Sequence, residues 1–265
     1  MAKSFGSQDV SSPYPATLAT RAGRWLNLGL DLVFPPGCAF CHCPLESSDA
    51  GLLCPACRAE MVDRGWACAR CGSSIPAEAT AEVSHACSRC KEERLHFQGV
   101  VRLGVYQGKL RAAVLRIKQQ HERALAIALG DLLATSNDTR WAALEPDAVV
   151  PVPMHWTRKI WRGVNSPETM AERLARHLNL PLASHLLVRC RRTAPQASLS
   201  PTKRLANVRG AFRAGPHPDL AGARLLLVDD IMTTGATVNE AAKILTRAGA
   251  AFVGVVVPAR AEGLA

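Results

Sequence analysis

From residue 99 onward the apolar positions fall into two kinds of segment, short solid runs and longer stretches with a helical repeat. The runs predict strands over 100–106, 148–152, 224–228 and 252–257. The periodic stretches predict helices over 110–134, 168–178 and 238–247. Runs such as 225–228 and 253–257 show no in-and-out alternation, so their strands are expected to be covered on both faces. Strands alternating with helices in this way predict an α/β fold built on a parallel sheet.

Upstream the pattern changes. Residues 1–16 carry Ser, Pro and Gly and read as a loose tail. Trp25, Leu28, Leu32 and Val33 recur at near-helical spacing, predicting a short packing helix over 20–34 that Pro35-Pro36-Gly37 ends. Residues 38–90 have no long apolar segment, so something other than a large core must hold them. The chain has 265 residues, 48% of them hydrophobic, which suits one or two globular domains and excludes wholesale disorder. No apolar run approaches the roughly 20 residues a membrane-spanning helix needs. The N-terminal residues lack the basic start and apolar core of an export signal, so a cytoplasmic location is expected.

Cysteine usage supplies the missing glue. Nine of the ten cysteines lie within 38–90. Eight of these form four C-x-x-C knuckles: Cys38/Cys41, Cys54/Cys57, Cys68/Cys71 and Cys87/Cys90. A reducing compartment disfavours disulfides, and eight thiolates in this spacing predict two closed four-cysteine sites for structural zinc. Redox-active dithiols are the alternative chemistry. Pairing the knuckles in sequence and pairing them cross-braced both remain compatible with the spacing. His42, Cys43 and His85 are expected not to be ligands, and Cys190 is expected to be a buried, inert thiol.

Charge points elsewhere in the chain. The net charge is +10, and residues 102–213 alone hold nineteen basic and seven acidic side chains. An anionic ligand is implied, either a small phosphate or a nucleic-acid backbone. The densest basic stretch, Arg189 to Arg192 with Lys203, Arg204 and Arg209, reads as a nucleic-acid groove or as charges around a small-molecule site or a solvated face, and its few interleaved aromatics give little support for a base-stacking platform.

One segment carries specific chemistry. The run at 225–228 ends in Asp229 and Asp230, followed by Thr233, Thr234, Gly235, Ala236 and Thr237 at the start of a predicted helix. Unpaired amides and the helix dipole favour an anion at such a start, while the carboxylates suit sugar hydroxyls or a phosphate-bound divalent ion. A phosphate beside a diol is a ribose phosphate. An acidic strand end with an ordinary Thr helix cap would look similar on physics alone.

This segment resembles the phosphoribosyl diphosphate (PRPP) motif of type I phosphoribosyltransferases. The zinc knuckles, then Val150-Pro-Val-Pro153 with its following basic stretch, then Arg192-Thr-Ala-Pro-Gln196 through Asn207 to Ala211-Phe212, resemble in this order the ComF/GntX family. These are competence-associated proteins in which a double zinc ribbon precedes a phosphoribosyltransferase-like domain. The likeness spans about residues 25–260 and implies a tail and helix over 1–36, a double ribbon over 37–97 and the α/β domain over 98–265.

By resemblance, Asp229 and Asp230 hold the ribose hydroxyls of PRPP, and 233–237 cradle its 5′-phosphate, with Mg2+ on the diphosphate. Pro151, Val152 and Pro153 open the pyrophosphate loop. Arg158, Lys159, Arg162 and Asn165 form a basic cover, in which Val164 and Ser166 replace the family's usual aromatic and Gln. Lys118 matches a family lysine on the long helix, within potential reach of the site; as an isolated residue it reads equally as a solvated helix lysine. Implied partners are PRPP or a related ribose phosphate and, through competence, single-stranded DNA or DNA-uptake proteins. Two functions follow: a phosphoribosyltransferase with an unidentified acceptor, or a non-catalytic nucleic-acid- or protein-binding factor that senses the ligand.

Overall fold

A computed structural model describes residues 37–46, 51–76, 87–88, 90–91, 93–119, 122–154, 165–191, 193, 206–216 and 220–262. Six strands are seen: β1 (Gly99–Val105), β2 (Ala148–Pro151), β3 (Leu187–Arg189), β4 (Phe212–Ala214), β5 (Arg224–Val228) and β6 (Phe252–Arg260). The helices are α1 (Pro55–Met61), α2 (Gly108–Arg116), α3 (Arg123–Thr135), α4 (Asp138–Leu144), α5 (Ser166–Leu178) and α6 (Ala236–Arg247).

Four strands form one all-parallel sheet in the order β1-β6-β5-β2, as the solid apolar runs predict. Successive side chains of β5 serve opposite faces. Leu226 and Val228 join Val101, Leu103, Val149 and Val256 under α2, α3 and α5. Leu225 and Leu227 join Val150, Val253, Val255 and Val257 under α6 and the antiparallel pair β3–β4. Leu53, Cys54, Cys57 and Met61 from the cysteine region pack into the first of these cores.

Three expectations are corrected. The helix over 110–134 is two helices, because α2 stops at Arg116, whose guanidinium closes on Glu122 across the gap (2.9 and 3.2 Å), while the Ser166 hydroxyl donates to the Ile117 carbonyl at 2.6 Å. Tertiary contacts here override a continuous helical pattern. Cys190 is exposed: it follows the short strand β3 on the small two-stranded sheet, with its thiol beside the Ala211 carbonyl at 3.5 Å. Finally, α1, α4, β3 and β4 were not foreseen, being too short to show a period. The helix expected over 20–34 lies outside the described residues. Among the described residues, no helix is long and apolar enough to cross a membrane.

Candidate functional site

The eight knuckle cysteines gather in sequence order, Cys38, Cys41, Cys54 and Cys57 in one group and Cys68, Cys71, Cys87 and Cys90 in the other, with all sulfurs of a group within 4.8 Å of one another. This decides between the two pairings in favour of the sequential one. A tetrahedral zinc with bonds of about 2.3 Å sets its sulfurs ~3.8 Å apart. Observed separations are 3.7 Å for Cys41–Cys54, 3.6 Å for Cys71–Cys87 and 3.8 Å for both Cys68–Cys90 and Cys87–Cys90. The donor set and its spacing fit two structural zinc ions with no open position. Cys43 lies 3.3 Å from Cys41 but outside the four-sulfur group, as expected. Backbone and thiol hydrogen bonds at Cys43 pull the Cys41 thiol down to about 6, toward the thiolate a metal requires.

In the parallel sheet, β5 and β2 run side by side with Val228 opposite Pro151, so the 229–237 loop and the 151–154 turn leave the sheet at one level. Ligands of open parallel sheets bind in this position, outside the carboxyl ends of the strands. The Val152 amide donates to the Val228 carbonyl at 2.8 Å, and its side chain is buried in the second core, so this residue can face the crevice through backbone only.

The loop itself is built for an anion. Gly235 caps α6 with φ +80 and no side-chain cap, and a Cβ there would stand 2.9 Å from the Met232 methyl. Only glycine takes this left-handed position without strain. Among the described residues, the amides of Thr233, Thr234 and Gly235 donate to no backbone carbonyl, and the Ala236 amide reaches only the Thr234 hydroxyl at 3.4 Å. Thr233, Thr234 and Thr237 are half-buried, while Ala236 is buried and offers backbone alone.

Beside this loop, Asp229 is 8% exposed and Asp230 half-buried. The Asp230 amide donates to Asp229 Oδ1 at 2.8 Å. Burial, and then the charge of Asp230, push the Asp229 carboxyl up to about 7, against the pull of the Asp230 amide and of Lys118 and Arg189. Lys118 Nζ stands 3.5 Å from Asp230 Oδ2, which the break between α2 and α3 makes possible. The structure thus brings Asp229, Asp230, Lys118 and the 233–237 loop together. Asn165 opens α5, with its amide donating to Glu168 at 3.0 Å. Arg158, Lys159 and Arg162 lie outside the described residues.

Arginines complete the surroundings of the site, two of them from the basic stretch singled out in the sequence and two, Arg102 and Arg260, that sequence inspection missed. Arg189 acts on Asp229 and stacks 5.2 Å over the Phe212 ring. Arg191, from the same basic stretch, donates to the carbonyls of Asn207 and Arg209 at 2.8 Å each, a structural use of its charge. Arg260, 4% exposed, ends β6 behind the loop. Arg102, also buried, ties Asp63 (3.2 Å), just after α1, and Ser74 (2.8 Å) of the second ribbon to Glu262 (3.3 Å). The signal available in the sequence was an arginine inside an otherwise apolar strand, which must find partners when buried.

Comparison with known proteins matches residues 116–263 to the phosphoribosyl transferase domain and residues 29–91 to the double zinc ribbon domain. The DNA utilization protein YhgH of Salmonella typhimurium is 35% identical over 228 residues, covering 84% of this chain and 96% of that protein. Its Escherichia coli counterpart is 34% identical over 229 residues, with the same coverage. Competence protein F of Haemophilus influenzae is 30% identical over 216 residues, covering 80% of this chain and 91% of that one.

Proposed function

Because the chain belongs to the ComF/GntX family, in which a double zinc ribbon precedes a phosphoribosyltransferase-like domain, we propose that it binds PRPP with Mg2+ at the 229–237 loop and serves DNA uptake or use. One observation carries the ligand reading: free amides at the start of α6 stand beside a pair of carboxylates at the mouth of a parallel sheet. The amides and the threonine hydroxyls hold the 5′-phosphate, with the helix dipole behind them. Asp229 and Asp230 accept hydrogen bonds from the ribose hydroxyls. Lys118, already beside Asp230, supplies positive charge where a leaving diphosphate accumulates negative charge. When bound, Mg2+ neutralises and orients the diphosphate. The protein's part is then mainly positioning, bringing a nitrogen nucleophile in line with the anomeric carbon.

Calorimetry with PRPP and Mg2+ tests the ligand reading, with binding expected for the wild type and lost on Asp229→Ala/Asp230→Ala. No heat with the wild type would refute it. Release of pyrophosphate during a screen of bases and amines tests turnover.

A second reading, a non-catalytic nucleic-acid-binding factor, draws on the names of the relatives and on the basic surplus of residues 102–213. Single-stranded DNA titrated at several salt concentrations tests it: a phosphate-dominated contact gives affinity that falls steeply with salt, and a flat response counts against it.

A further inference from the structure

Each zinc ribbon lends a backbone carbonyl from one of its knuckles to an arginine at the ligand site. In the second ribbon the carbonyl is that of Cys71, which accepts from Arg260 Nε at 3.2 Å. Arg260 Nη1 donates onward to the carbonyls of Met232 (3.3 Å), Ala261 (2.8 Å) and Thr233. In a trans peptide the C=O and the following N–H point in opposite directions. Fixing the Met232 and Thr233 carbonyls on Arg260 therefore turns the amides of Thr233 and Thr234 the other way. These amides are among those with no backbone acceptor. Met232 is held on the same line by its amide on Ala259 (3.0 Å) and its carbonyl on the Ala261 amide (2.9 Å).

The first ribbon holds an arginine that leads to the site through the chain. Arg116, the last residue of α2, donates to the carbonyls of Phe40 (2.5 Å) and Ala39 (3.4 Å), both inside the knuckle Cys38-Ala-Phe-Cys41, and lies 5.4 Å over the Phe40 ring. Two residues later comes Lys118, the partner of Asp230. The knuckle carbonyls keep their places only while the knuckle turns are closed. For Cys71 that turn is shaped by the Gly72 amide on the Cys68 carbonyl and the Cys68 amide on the Ser73 carbonyl, each 2.8 Å.

We infer that the zinc ribbons are positioning elements of the ligand site, Arg260 coupling the second ribbon to the phosphate loop and Arg116 coupling the first to Lys118. The inference rests on the ribose-phosphate reading above. It carries a consequence of linkage: if closed ribbons favour ligand, bound ligand must favour closed ribbons by the same factor. Opening of the Cys68–Cys71 knuckle removes a carbonyl from the buried Arg260 guanidinium, which is expensive to leave unmatched, and opening of the Cys38–Cys41 knuckle frees the half-buried Arg116.

The test is zinc release from the full-length, zinc-loaded protein into a zinc-selective chromogenic chelator, with and without saturating PRPP and Mg2+. Release from the wild type is expected to slow at least ~5-fold with PRPP present, the lower end of ordinary coupling. Arg260→Met should keep two zinc ions per chain, bind PRPP at least ~10-fold more weakly, and lose the protection of one zinc. Arg260→Lys, which keeps the charge and a donor, should restore part of both. Arg116→Met should lose the protection of the other zinc.

PRPP that binds the wild type without slowing release of either zinc would overturn the coupling while leaving the ligand reading intact. So would wild-type affinity in Arg260→Met. A wild type that binds no PRPP would overturn the ligand reading and the coupling together. The comparison of wild-type release rates needs no variant, so a poorly folding Arg260→Met does not protect the inference.

Discussion

Replacing Asp229 with Asn removes one ionisation and leaves the local geometry almost unchanged, because the amide oxygen can still accept from the Asp230 backbone N–H. In the wild type, burial and the neighbouring Asp230 push the Asp229 carboxyl from an ordinary 3.8 up to about 7. A raised carboxyl contributes stability that is complete below the unfolded value and is lost as pH rises through the folded value. Each tenfold change in proton affinity is worth about 1.4 kcal/mol, so the whole displacement amounts to ~4 kcal/mol. Roughly half of it, ~2 kcal/mol, falls between about pH 5.5 and pH 8.5. Asn carries no such term. The stability of Asp229→Asn relative to the wild type should therefore rise by ~2 kcal/mol across this range, or ~4–8 °C in Tm for a chain of this size. Thermal or denaturant unfolding at both pH values, with zinc saturating, reads the difference, and the zinc cages cancel because both proteins have them. Saturating PRPP with Mg2+ should flatten the wild-type slope by stabilising the ionised pair. An unchanged gap between the two proteins across the range would show that Asp229 ionises freely, and the burial argument would be wrong.

Other perturbations address separate parts of the molecule. Cys38→Ser and Cys68→Ser should each lower the zinc content from two ions to one per chain by metal analysis; two ions retained in either variant would contradict the cages described. Gly235→Ala should destabilise by ~1–2 kcal/mol in denaturant titrations and weaken PRPP binding, because a side chain is forced into the left-handed position against Met232. Arg102→Met leaves two carboxylates without their shared partner, but these are about one third exposed, so a loss of ~2–3 kcal/mol is expected. An unfolding midpoint equal to that of the wild type would show that this tie contributes nothing.

What could be read in advance depended on how local the cause was. The strand at 224–228 and the helix that follows were visible because burial on both faces leaves an unbroken apolar run, and a Gly-Ala-Thr start marks a helix. The zinc ligands were visible because spacing within a knuckle is itself the chemistry. The pairing of the knuckles was not, since it depends on how two turns meet in space. The break between α2 and α3 is set by Arg116, Glu122 and Ser166, groups whose meeting no periodicity records. Lys118 could be noticed only through likeness to a family, and its place beside Asp230 follows from that break. Arg260 lay beyond the strand predicted over 252–257 and drew no notice, since its partners are backbone carbonyls of residues distant in sequence.

The sharing of one apolar core between Leu53, Cys54, Cys57 and Met61 and the sheet residues Val101 and Leu103 has a practical corollary. A fragment cut to begin near residue 98 would carry a raw oily scar where the missing part had sat, and such scars promote clumping. Metal supply during synthesis would then govern how much of the whole polypeptide reaches its finished form, the α/β part included. Starving a producing culture of zinc should thus lower the yield of the entire molecule instead of releasing a sound α/β domain with a damaged appendage.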